Sequence, residues 1–84
     1  MKTFQLKVRV RYKDGILDPQ AEAIFTALQK LEFRTVERVE CDKLFMISLK
    51  AEDEAHAISL GRDMAQKLLS SVVMENFEVE VLKP

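Results

Sequence analysis

Phe4-Gln5-Leu6-Lys7-Val8-Arg9-Val10-Arg11-Tyr12 decides how this chain folds. Apolar and polar residues alternate along it without a break. Phe4, Leu6, Val8, Val10 and Tyr12 project to one side, and Gln5, Lys7, Arg9 and Arg11 to the other. Successive side chains of a strand point to opposite faces, so this period predicts a strand with one face on a core and the other toward water. Such a strand needs neighbours at its edges and a layer over its apolar face.

The sequence after it supplies candidates for both. Lys13-Asp14-Gly15-Ile16-Leu17 predicts a turn. Asp18-Pro19 predicts a helix start, because an N-cap Asp accepts from free backbone N–H groups and Pro at the first helical position has no N–H to leave unpaired. Ala21, Ile24, Phe25, Leu28 and Leu31 then recur at spacings of three and four, an amphipathic stripe. Glu32 stands where a C-terminal glycine is expected, and a left-handed backbone there would cost about 1–2 kcal/mol.

Thr35–Cys41 and Leu44–Lys50 read as two short strands joined at Asp42-Lys43, a weaker hairpin signal than Asn-Gly. In the second, Phe45, Ile47 and Leu49 share one face, and Leu44 and Met46 the other. Asp53 predicts the cap of a second helix running to about Ser70. Its inner stripe is Ala57, Leu60, Gly61, Met64 and Leu68, supported by Ala65 and Leu69. Gly61 costs a helix about 1 kcal/mol relative to Ala, which close packing against a sheet would explain. Phe77, Val79 and Val81, alternating with Glu78 and Glu80, predict a last strand. The expected fold is therefore α+β, a ferredoxin-like split β-α-β (βαββαβ) domain spanning residues 1–84. It has an antiparallel four-stranded sheet ordered 4-1-3-2 with both helices on one face. In that order Lys7, Arg9 and Arg11 lie beside Glu78 and Glu80.

The 84 residues suffice for one domain with a thin core. The chain is 48% hydrophobic and 32% charged, too apolar for intrinsic disorder. A net charge of −1 lacks the basic excess of nucleic-acid and membrane-surface binders. Neither a membrane span nor a signal peptide is expected, and the single cysteine, Cys41, fits a reducing, cytoplasmic setting.

No catalytic constellation is expected. His56 and Cys41 are the only residues of their types, too few for a zinc site or a Cys–His pair within the chain. His56 reads as a solvated surface residue and Cys41 as a half-buried small one. Asp14 and Asp18 are accounted for as a turn residue and a helix cap. Gly15 alone cannot form a phosphate-binding loop. The outward positions of the first and third strands hold no aromatic residue, which disfavours RNA stacking. Leu44 and Met46, apolar on an uncovered sheet face, point instead to contact with another chain.

The run Lys13-Asp14-Gly15-Ile16-Leu17-Asp18-Pro19-Gln20-Ala21 resembles the segment characteristic of the PurS family, the small subunit of phosphoribosylformylglycinamidine synthase. Ala27-Leu28, Leu31, Phe33, Val36, Val39, Lys43, Leu68-Leu69 and Val73-Met74-Glu75 match that family in order. The chain departs from it at Glu32 and Asp42, where the family carries Gly, at Glu40, where it carries Arg, and at Ser71-Val72, where it carries Asn-Pro.

The resemblance implies a non-catalytic subunit that binds no cofactor itself. It would assemble with itself as a dimer or tetramer, and with a glutaminase subunit and a large synthetase subunit that use glutamine and ATP. Ammonia would pass between those two in de novo purine biosynthesis. The candidate interface residues are Leu44, Met46, Asp14, Gly15, Asp18 and Gln20. A rival reading is an ACT-like amino-acid-binding module, since Asp14-Gly15-Ile16-Leu17 is similar to the ligand-binding turn of those domains.

Overall fold

The computed structural model describes residues 1–82. The predicted first strand is β1, Lys2–Tyr12, and it occupies the centre of the sheet. Its alternation is the burial pattern: Leu6, Val8 and Val10 are completely enclosed, while Gln5, Arg9 and Arg11 are exposed. On one side it pairs antiparallel with β2, Lys43–Ala51, with Leu6 opposite Ile47 and Val8 opposite Phe45. On the other it pairs antiparallel with β3, Glu75–Leu82, with Leu6 opposite Val81 and Val8 opposite Val79.

The expected four-stranded sheet is corrected here. Among the described residues the sheet has three strands in the order β2-β1-β3, and residues 35–41 are not a strand. The two neighbours assigned to the first strand are right, and the edge strand is absent. Its alternation is poor, since Val36 and Val39 fall on opposite faces, and Asp42-Lys43 does not favour a tight reversal.

The helices correct the expected layering as well. α1, Pro19–Lys30, begins at an Asp18 cap as expected, yet it makes at most marginal contact with the sheet. The layer over the apolar face is α2, Glu54–Met64, which touches all three strands. Ala57, Gly61 and Ala65 bring it close to the sheet, and Leu6, Ala51 and Ala57 form one packed cluster, Val8, Val10 and Ala65 another. A Cβ on Gly61 would lie 2.7 Å from Leu6 Cδ1 and 3.0 Å from Val79 Cγ1, so the glycine is required by the approach of helix to sheet.

α2 then widens into a π-helical turn, Ala65–Leu69, closed by Ser70 N–H and Ser70 Oγ donating to Ala65 O, both at 2.9 Å. The extra residue in that turn rotates the register. Leu69 packs against the cluster of Val8, Val10 and Ala65, whereas Leu68, expected on the inner stripe, is 83% exposed.

Candidate functional site

The turn after β1 is built as its residues require. Ile16 N–H donates to Lys13 O at 3.1 Å, and Gly15 sits at a φ of 83°, a backbone region that glycine enters without a Cβ penalty. Asp18 then accepts from Gln20 N–H at 3.0 Å and Ala21 N–H at 3.2 Å through one carboxylate oxygen. Asp14, Gly15 and Asp18 line an open cleft of about 440 Å³, closed on its far side by residues 37–42. Gln20 lies beside the cleft, exposed and outside its lining. The cleft wall mixes Arg11, Lys13 and Arg38 with acidic Asp14, Asp18, Glu22, Glu37, Glu40 and Asp42.

Leu44 and Met46 are not part of the cleft. They stand on the sheet face that α2 leaves open, at 55% and 56% exposure. In register, Leu44 faces Arg9, which faces Glu78, and Met46 faces Lys7, which faces Glu80. The expected pairing across this face is present: Lys7 Nζ lies 3.8 Å from Glu80 Oε2. Arg9, although opposite Glu78, directs its Nε toward Asp42 Oδ2 at 4.0 Å. This open face thus has two apolar side chains at one edge of a charge-balanced centre.

Other residues have different duties from those expected. His56 is half-buried and belongs to the α2 cap, correcting its reading as a solvated side chain. Its N–H donates to Asp53 Oδ1 at 2.8 Å, and its Nδ1 accepts from Glu52 N–H at 3.1 Å. Cys41 is half-buried, in irregular backbone rather than at a strand end. Glu75, only 8% exposed, was not singled out by sequence. It accepts from Ser71 N–H at 2.8 Å and lies 3.6 Å from Lys43 Nζ, tying the first residues of β2 and β3 across β1. Glu40 is paired with Arg38.

Sequence reading also missed an exposed apolar group at the end of α2: Leu68, Val72, Val73 and Met74. Lys13 N–H donates to Met74 O at 2.9 Å, so this group abuts the turn after β1, where Ile16 and Leu17 are exposed too. Helical spacing concealed Leu68, but the run Val72-Val73-Met74 beside Ser70-Ser71 was a legible sign of exposed apolar loop. Among the described residues no helix is long and apolar enough to cross a membrane.

Comparison with known proteins accounts for the combination. Residues 5–83 match the family model PurS: Phosphoribosylformylglycinamidine (FGAM) synthase. The chain is 32% identical over 72 residues to phosphoribosylformylglycinamidine synthase subunit PurS of Archaeoglobus fulgidus, covering 86% of this chain and 90% of that protein. It is 31% identical over 78 residues to the PurS subunit of Bacillus subtilis, covering 93% and 92%. Among solved structures it superposes on Methanocaldococcus jannaschii PurS, described as one of the subunits of formylglycinamide ribonucleotide amidotransferase in the purine biosynthetic pathway. The TM-score is 0.85 at 30% identity, over 96% of this chain and 98% of that one. A chain in the structure of PurLQS from Thermotoga maritima matches with a TM-score of 0.86 at 26% identity, over 98% and 100%. The matches run from β1 through α1, the irregular segment and α2 to β3, and the chain belongs to the PurS family.

Proposed function

We propose that this chain is the small subunit of a phosphoribosylformylglycinamidine synthase in de novo purine biosynthesis. It associates with itself and assembles with a glutaminase subunit and an ATP-dependent synthetase subunit. The observation that carries this reading is the match to PurS proteins over nearly the whole chain, including the PurS-like chain of PurLQS. In this reading the subunit works in the cytoplasm, contributes no catalytic residue, and binds neither ATP nor another cofactor. Its exposed apolar residues and charge-balanced sheet face suit protein contacts. At the turn, Asp18 is occupied with capping α1 and Lys13 O with the turn's own backbone bond. Such a subunit assists chemistry by holding two active sites in register, so that ammonia moves between them without loss to bulk water.

The turn argues against the amino-acid-binding alternative. A ligand carboxylate at the start of α1 would need the N–H groups of Gln20 and Ala21, and Asp18 already holds both. The deciding experiment combines the protein with the synthetase and glutaminase subunits of its host. Glutamine-dependent formation of the amidine product should depend on its presence, and a complex should be isolated with ATP and glutamine. Equal activity without it, together with no complex, would overturn the reading.

A further inference from the structure

β3 has an outer edge with no strand beside it. The sheet order leaves that side of Glu75–Leu82 unpaired, and among the described residues no backbone bond of residues 76–82 reaches beyond β1. Burial follows the same division. β1, flanked on both sides, encloses Leu6, Val8 and Val10 completely, whereas Phe77, Val79 and Val81 of β3 stay half-buried. The opposite face of β3 carries Glu78 and Glu80, both exposed. Glu80 is reached by Lys7 at 3.8 Å, and Glu78 makes no ion pair among the described residues.

We propose that this edge receives an extended segment of a partner subunit in which apolar and basic residues alternate, added as a strand outside β3. The proposal rests on the subunit role proposed above and names one contact by which a partner is held. β1 already displays what this row accepts. Along the inner edge of β3, Val8 faces Val79, while Lys7 faces Glu80 and Arg9 faces Glu78. A second strand of the same pattern would cover the three apolar residues and offer cations to the two carboxylates. It would also satisfy the open backbone groups, the source of affinity when a peptide adds to a sheet edge.

Charge makes the occupant a different protein rather than another copy. A second β3 would set carboxylates against carboxylates, and like charges directly opposite are destabilising. The exposed row of β2, Leu44, Met46 and Ser48, brings no cation before Lys50. Residues 35–41 place Glu37 and Glu40 around a single basic residue, Arg38. Only β1 alternates apolar with basic residues, and it is closed in between two strands. The acidic row thus keeps the edge from pairing with its like and leaves it open to a basic strand.

The test uses the full-length protein, alone and mixed with the synthetase and glutaminase subunits of its host, ATP and glutamine. In an antiparallel edge strand alternate N–H groups point outward, so alternate amides of residues 76–82 should exchange freely in the isolated protein. In the complex those amides should become protected, read by nuclear magnetic resonance after quenching. Cross-strand charge pairs are modest, so Glu78→Gln should weaken the complex about threefold and Glu78→Lys about tenfold. Self-association by sedimentation should stay unchanged in both, and Glu78→Gln decides if the lysine variant loses its circular dichroism. A complex with the outward amides unprotected would overturn the added strand while leaving the subunit role standing. Protection with both variants binding as wild type would overturn the basic partner segment. No complex with either subunit would overturn the contact and the role together.

Discussion

Asp18 and Glu32 show opposite outcomes of the same local physics, one at each end of α1. Asp18 satisfies two N–H groups that the first helical turn leaves open. Asp18→Ala should lower unfolding stability by about 1 kcal/mol, read as a fall in denaturant midpoint without a change in slope. At the other end Glu32 N–H donates to Gln29 O and Phe33 N–H to Leu28 O, both at 3.0 Å, the two bonds of a Schellman cap. That cap requires a left-handed residue, and Glu32 adopts a φ of 70°. Glu32→Gly should raise stability by about 1 kcal/mol, shifting thermal melting upward by about 4–8 °C. The sequence already exposed both positions, because capping depends on a few adjacent residues. The cap role of His56 and the clamp at Glu75 were not legible. The first needs the ring to fold back onto Glu52, and the second joins strands far apart in sequence.

At the scale of elements, α2 and its π-helical turn make the sharpest test. Gly61→Ala gains about 1 kcal/mol of helix propensity but places a methyl group 3.0 Å from the stiff Val79 side chain and closer still to Leu6. Overpacking of this kind costs about 1–3 kcal/mol, so the net change should be a loss of stability in chemical denaturation. The wide turn makes a second distinction between neighbouring leucines. Leu69→Ala should cost about 1–2 kcal/mol, whereas Leu68→Ala should stay within about 0.5 kcal/mol of wild type in the same assay. Regular helical spacing assigned both to the core. The displaced register follows from the i to i−5 closure at Ala65 and Ser70, which no pattern of apolar residues encodes.

For the whole molecule, function is a question of which surfaces remain open after one chain has folded. Leu44→Asp and Met46→Asp should each weaken self-association, measured by sedimentation, while leaving the monomer's circular dichroism intact; unchanged sedimentation would clear that face of the contact. The sequence by itself determined the central strand, both strands that flank it, both helix starts, the close approach at Gly61 and the resemblance to PurS. Each depends on a short-range pattern or on a run of identities. Only the tertiary structure decided that residues 35–41 leave the sheet, that α1 stands away from the core, and that α2 alone covers it. An edge strand exists only if a neighbour and a turn stabilise it against loop entropy. Asp42 and Lys43 bond to Arg9 and Glu75 instead of closing that turn, and both partners are distant in sequence.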